Sequence, residues 1–289
     1  VQACPQTCNA TAVRAIPPRC DATVSARRIT LRALPPAAMV AYSFVAAVLV
    51  SASSAAATPL YRLYQQSMHL TPLMVTVVFA VYAFSLLAAL LTVGSLSDYV
   101  GRRPVILGGL VLNVAAMLLF AGAADVTHLI LARAVQGLCV GTATTALGAA
   151  ILDTDRNTGP LLNSITAFIG LMVGALGATA LISFAPNPLH LVYEVLLGLT
   201  LILIGLLWLM PESAGRKPGA LASLWPQISV PRQSRAVLLR ITPAGIATWA
   251  LGGFYLSLMP TVVATTMGAT SPWVGGGVVA VLMLAAAIA

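Results

Sequence analysis

From about position 37 onward the chain is a succession of apolar stretches separated by short polar connections. The spans read from this pattern are 37–58, 73–95, 104–124, 128–151, 161–184, 190–210, 242–264 and 272–289. A helix needs about 20 apolar residues to cross the hydrocarbon core of a bilayer. None of the stretches alternates with the period of two expected of a barrel strand. The pattern therefore predicts an all-α membrane protein with eight helices. Pro59 is expected to end the first span. Residues 211–241 hold Pro211, Pro218, Pro226, Pro231 and five basic residues, the composition of a linker. The expected organisation is a basic tail over 1–36, a six-helix unit over 37–210, a linker over 211–241 and two further helices over 242–289.

Composition supports this reading. Charged residues make up 8% of the chain and hydrophobic ones 59%, against about a quarter charged in a soluble globular domain. The mean hydropathy is +0.96. The 15 Lys and Arg residues test the layout, because cytoplasmic loops carry the excess of positive charge. Arg14, Arg19, Arg27, Arg28 and Arg32, the pair Arg102 and Arg103, Arg156, and the five basic residues between 211 and 240 all fall on one side of the expected membrane. Arg62 falls on the other, and Arg133 lies inside a span. The tail and the long connection are thus expected in the cytoplasm, and the net charge of +8 is read as a topology signal, not as a nucleic-acid footprint. Cys4, Cys8 and Cys20 belong to the tail and Cys139 to a helix, so free thiols are expected in a reducing compartment. The loose Cys4–Cys8 spacing without a histidine makes a poor metal site, and none is expected. The tail lacks the apolar core of a signal peptide and receives no function.

One connection carries more information than the others. Between the second and third spans runs Gly94-Ser95-Leu96-Ser97-Asp98-Tyr99-Val100-Gly101-Arg102-Arg103-Pro104. Gly94 is expected to let another helix approach closely, Gly101 to permit the tight reversal, and Pro104 to suit a first helical turn. Asp98 is a candidate acceptor for a helix amino terminus, and Arg102 and Arg103 are placed to pair with it or with Asp153 and Asp155. The pattern Gly-x-Leu-x-Asp-x-x-Gly-Arg-Arg resembles the loop between the second and third helices of the major facilitator superfamily. Tyr99 departs from it, standing where the family often has a basic residue.

The fourth span holds a second match, Arg133-Ala134-Val135-Gln136-Gly137. Spacings of three and four put Arg133, Gln136, Gly137 and Gly141 on one helical face. A charge in lipid costs roughly 2.5–3.5 kcal/mol on insertion scales, so Arg133 is expected to face the bundle interior or to reach for the interface. The segment resembles the Arg-x-x-Gln-Gly motif of the same superfamily, which the resemblance implies takes part in proton coupling. In the fifth span Gly170, Gly174 and Gly177 form a candidate packing seam. Drug antiporters of the family carry a Gly-Pro pair there, and here the place is taken by Gly174 and Ala175. Glu194, near the start of the sixth span, is either a protonation site or a solvated carboxylate. Ser51, Ser53, Ser54, Thr58, Tyr82, Trp249 and Tyr255 are candidates for lining a cavity or for packing.

The resemblance implies a monomeric secondary transporter of the plasma membrane. It would move a small-molecule substrate by alternating access between two six-helix bundles, driven by a proton or other ion gradient and without a cofactor. Against that plan the chain corresponds to the first bundle and the start of the second. No phosphate-binding loop is seen. Efflux of small organic compounds is the leading expectation and uptake of a sugar or metabolite the alternative. A membrane enzyme or receptor is the reading from a different class, and the poverty of intramembrane acids, histidines and nucleophiles argues against the enzyme.

Overall fold

The computed structural model describes residues 35–289 except 186, 213–214, 216, 218, 224–231, 260–261, 264–265, 267, 269–270 and 289. The expected tail and its three cysteines lie outside the described residues. Ten helices are described: α1 Pro36–Met68, α2 Pro72–Val93, α3 Ser97–Val100, α4 Arg102–Ala121, α5 Val126–Thr154, α6 Gly159–Phe184, α7 Pro188–Leu207, α8 Ala220–Ser223, α9 Arg232–Ser257 and α10 Pro272–Ile288. Seven of them are long and apolar enough to cross a bilayer, and Trp273–Ile288 within α10 is a shorter apolar helix. No strand occurs among the described residues.

Helix ends are set by local chemistry. Thr71 caps α2, its Oγ1 accepting from the Met74 backbone N–H at 3.3 Å, with Pro72 in the first turn. Asp125 caps α5 through Oδ1, which accepts from the His128 N–H at 2.8 Å. Two boundaries differ from the sequence reading. The first helix does not end at Pro59 but continues to Met68, where His69 turns off in the left-handed conformation with φ 53°. A proline inside a helix removes one backbone bond, a loss that close neighbours make tolerable in a membrane helix. The second difference is α9, which begins at Arg232, ten residues before the expected start at 242.

Helix α5 is central: it packs against α1, α2 and α4, while α1 and α6 form the closest pair and α4 also meets α7. The core divides by depth. One cluster gathers Leu60, Tyr61, Tyr64, Phe120, Leu129 and Tyr193 at the end away from the Gly94–Pro104 loop. The other gathers Tyr42, Val50, Leu110, Cys139, Leu147 and Leu207 towards that loop. Helix α10 packs on α6 through Ala175, Val279 and Met283.

Small residues determine how closely the helices approach. A Cβ on Gly137 would stand 2.8 Å from Ser85 Cβ, and one on Gly141 2.6 Å from Ala89 Cβ, so both glycines admit α2. A Cβ on Gly170 would stand 2.6 Å from the Val48 carbonyl oxygen, and one on Gly174 would overlap the Ala52 carbonyl, so these two admit α1. Gly177 is the exception in the expected seam, because a Cβ there meets nothing within 4 Å. Gly94 is also different from the expectation. The crowding at its Cβ position comes from the Leu90 carbonyl of its own preceding turn and not from another helix.

Candidate functional site

Two polar clusters stand out in an otherwise apolar bundle. The first lies at the Gly94–Pro104 loop. Gly101 has φ +107°, a conformation that L side chains avoid, which lets the chain reverse between α3 and α4. The exposed amides of α4 are then met by a residue from beyond α7. Glu212 Oε1 accepts from the Arg102 N–H at 2.7 Å and Oε2 from the Arg103 N–H at 3.2 Å. This is the helix-terminus role expected of Asp98, and Glu212 fills it instead.

Asp98 pairs with a side chain. Arg102 Nη1 lies 2.6 Å from Asp98 Oδ1 and donates to Ser97 Oγ at 2.6 Å, while Arg102 Nε donates to Asp153 Oδ2 at 3.0 Å. One guanidinium thus joins α3, α4 and the end of α5. Arg103 turns away from the acids, and its Nη2 donates to the Trp208 carbonyl at 3.3 Å. Among the described residues Asp155 has no arginine partner either. It organises the turn into α6, its Oδ1 accepting from the N–H groups of Asn157 at 2.9 Å and Thr158 at 3.1 Å, with Thr158 Oγ1 donating to Oδ2. These bonds hold its carboxyl below the ordinary carboxylate value.

The segment after α7 is held against the same loop. The Lys217 N–H donates to the Tyr99 carbonyl at 2.8 Å and Ser95 Oγ to the Ser223 carbonyl at 3.2 Å. Glu212, Lys217 and Ser223, inside the expected linker, are therefore anchored in a way that its proline-rich composition did not suggest.

The second cluster surrounds Arg133, which is 1% exposed, so the interface-seeking alternative does not hold. Its Nε donates to Tyr61 Oη at 2.7 Å, and its Nη1 to Gln136 Oε1 at 2.5 Å and to the Ser54 carbonyl at 3.1 Å. The guanidinium carbon sits 5.2, 5.4 and 5.5 Å from the ring centres of Tyr61, Tyr82 and Phe120. Nη2 is buried and without a hydrogen-bond partner among the described residues. The charge is stabilised by oxygen dipoles and ring faces, and no carboxylate among the described residues pairs with it. Gln136 Nε2 in turn donates to the Ser53 carbonyl at 3.0 Å, tying α5 to α1.

Other candidates fall outside this cluster. Glu194 is on the exposed side of α7, while its neighbour Tyr193 points inward, stacks on Phe120 at 4.9 Å and meets Tyr64 across 3.3 Å between hydroxyl oxygens. Trp249 is exposed on α9. Ser51, Ser53, Ser54 and Thr58 are buried in helix contacts. No group of three or more metal-ligating side chains occurs among the described residues.

The family profile described as Major Facilitator Superfamily matches residues 43–289, most of the chain. The chain belongs to the Major Facilitator Superfamily. Among curated relatives it is similar to the multidrug resistance protein MdtL of Klebsiella pneumoniae strain 342, with 27% identity over 207 residues, 66% of this chain and 50% of the relative. The MdtL of Escherichia coli O81 strain ED1a is 30% identical over 150 residues, 50% of this chain and 38% of that protein. The chain spans about half the length, or less, of these curated relatives. Among solved structures, the human organic anion transporter MFSD10 (TETRAN) aligns with a TM-score of 0.62 at 17% identity, over 88% of this chain and 71% of that one. A bacterial homolog of the human lysosomal transporter Spinster, inward-facing and unoccupied, aligns with a TM-score of 0.64 at 13% identity, over 86% and 60%. At these identities the structural likenesses establish the fold. Family and helices together make this a multi-pass membrane protein.

The residues missed in the sequence were of two kinds. Tyr61 lies seven positions after Ser54, on the same helical face, but only if the helix passes Pro59. Asn113, a carboxamide inside an apolar span, and Glu212, the one acid in a basic connection, carried signals of their own.

Proposed function

We propose that this chain contributes the first bundle and part of the second to a secondary transporter that exports small organic compounds by alternating access, driven by protons moving down their gradient. The observation that carries the proposal is Arg133, a fully buried cation held by a tyrosine hydroxyl, a glutamine, a carbonyl and three rings. A fixed positive charge in a low-dielectric interior lowers the proton affinity of any acid brought beside it and favours its discharge as the acid approaches. Such a group supplies one half of a proton-coupling device. Arg102, bridging Asp98 and Asp153, would act as the conformational latch at the opposite end, with Glu212 securing the helix that carries it. The substrate would occupy the space between two bundles, in a monomer embedded in the plasma membrane.

The export direction is supported by similarity to proteins named for multidrug resistance. A cytoplasmic amino terminus is supported by the thirteen Lys and Arg residues that fall on one side of the spans.

The test is accumulation of ethidium in bacteria lacking their major efflux pumps and expressing the complete reading frame that carries this sequence. Lower accumulation, restored by a protonophore, is the expected result. Higher accumulation abolished by the protonophore would instead establish uptake. Arg133→Ala should remove gradient-driven transport while leaving membrane insertion intact, and normal coupled transport by that variant would sink the role given to Arg133.

A further inference from the structure

A second carboxamide lies deeper in the same bundle. Asn113, on α4, is fully buried. Its Oδ1 accepts from Ser53 Oγ of α1 at 2.9 Å and from Cys139 Sγ of α5 at 3.6 Å, and its Nδ2 donates to Thr200 Oγ1 of α7 at 2.9 Å. One fully buried side chain therefore joins four helices. Ser53 is shared with the arginine cluster, because its backbone carbonyl accepts from Gln136 Nε2 at 3.0 Å and Gln136 Oε1 accepts from Arg133 Nη1 at 2.5 Å. The two sets of bonds meet at Ser53, whose side chain faces Asn113 and whose backbone carbonyl faces Gln136, so the α1 backbone joins Thr200 and Asn113 to Gln136 and Arg133.

We propose that Asn113 is a positioning residue for Arg133: it holds α1 against α4 and α7 at Ser53, and so places the Ser53 carbonyl that orients the Gln136 oxygen toward the guanidinium, which makes the placement of the charge depend on the docking of α7. Three features carry this. Gln136 has its amide engaged by Ser53 and its oxygen by Arg133, so turning the carboxamide over would set a donor against a donor. Ser53 Oγ also faces the Val50 carbonyl at 2.7 Å and shares its one proton between the two acceptors, so losing Asn113 leaves the hydroxyl satisfied but releases α1 from α4. Thr200 Oγ1 donates to the Leu196 carbonyl at 2.7 Å, which leaves its lone pairs for the Asn113 amide and makes α7 the far anchor. A shift of α7 would thus reach Arg133 through Asn113 and the α1 backbone at Ser53.

The proposal rests on the coupling role given to Arg133, so its test has two arms that fail separately. The first uses Cys139 as a reporter in the complete protein with every other cysteine changed to Ser. Its thiol is fully buried and should react slowly with N-ethylmaleimide. Asn113→Leu and Gln136→Ala are each expected to speed that reaction about tenfold, the worth of one interhelical hydrogen bond, with the double variant no faster than either single one. Effects that multiply in the double variant would overturn the linkage.

The second arm measures ethidium transport in proteoliposomes, both driven by a proton gradient and as exchange without one. Asn113→Leu is expected to lower driven transport about tenfold and to shift its pH profile while leaving exchange intact. Asn113→Gln, which keeps donor and acceptor, should recover part of the loss. Equal loss of both modes, or an unmoved pH profile, would reduce Asn113 to a packing residue and overturn the proposal. If the wild-type protein moves no ethidium while the thiol arm behaves as expected, the export function proposed above fails, and the linkage between Asn113 and Gln136 stands.

Discussion

The carboxylate of Glu212 occupies the place that a side chain on Gly101 would take: a Cβ there would stand 2.7 Å from Oε2 and 2.9 Å from the carboxyl carbon. With the positive φ of Gly101, this gives two independent reasons for a glycine at the reversal, one conformational and one steric. Gly101→Ala is expected to cost about 1–3 kcal/mol for the positive-φ backbone alone, plus displacement of Glu212. Glu212→Ala should destabilise less, because it removes the cap without straining the turn. Thermal unfolding of the detergent-solubilised protein checks the order, and an alanine at 101 milder than one at 212 would contradict it.

Arg102→Lys tests the geometry of the latch. A guanidinium reaches Asp98 and Asp153 from different nitrogens, whereas an ammonium is a single point of charge. Both acids are substantially exposed, at 53% and 41%, which limits what the pairs contribute. A loss of about 1 kcal/mol, or roughly 2–4 °C in Tm, is expected, and salt should narrow the difference. A lysine variant with unchanged stability at low salt would mean that the bridge does not hold α5 to α4.

The glycines of α6 should part company on substitution. Gly174→Val places a branched side chain into the Ala52 backbone and is expected to separate α1 from α6, at a cost of about 1–3 kcal/mol or a failure to fold. Gly177→Val enters open space and should be tolerated. Expression level and gel-filtration profile of the two variants give the comparison. Equal behaviour would show that the three glycines form one seam after all.

Acid should loosen the turn into α6 through Asp155. Its carboxyl is held below its ordinary value by the Thr158 hydroxyl and by the Thr158 and Asn157 amides. A depressed carboxylate contributes stability that is present above the unfolded-state value, near pH 4, and lost as pH falls through the lower folded-state value. Amide exchange at Asn157 and Thr158, corrected for its intrinsic acid dependence, should therefore lose protection below about pH 4. In Asp155→Asn, which keeps an acceptor but cannot titrate, that loss should be absent.

Much of this was legible from the chain. Apolar stretches of membrane length leave a helix few alternatives, because every backbone group in lipid must find its partner within its own segment. The Gly101 reversal was legible because only a glycine readily adopts that φ. Burial of Arg133 was legible as one of two choices, since a cation inside a span must turn inward or reach the interface. The partners were less accessible. Pro59 reads as a stop in the sequence, yet helix–helix packing carries α1 past it and brings Tyr61 to the guanidinium. Asp98, Asp153 and Asp155 all stood as candidate partners for two arginines, but Asp155 is engaged by the amides of its own turn.

The polar and apolar pattern, with its two short motifs, is enough to specify a helical membrane protein, its approximate spans and the positions where charge has to be accommodated. These properties depend on transfer between water and lipid and on local backbone preference, which each segment carries on its own. The identity of each charge's partner does not. Glu212 meets Arg102 across 110 positions and Asn113 meets Thr200 across 87. Such pairs exist only once helices distant in sequence have packed, because packing excludes water and leaves each buried donor whichever acceptor the neighbouring helix presents.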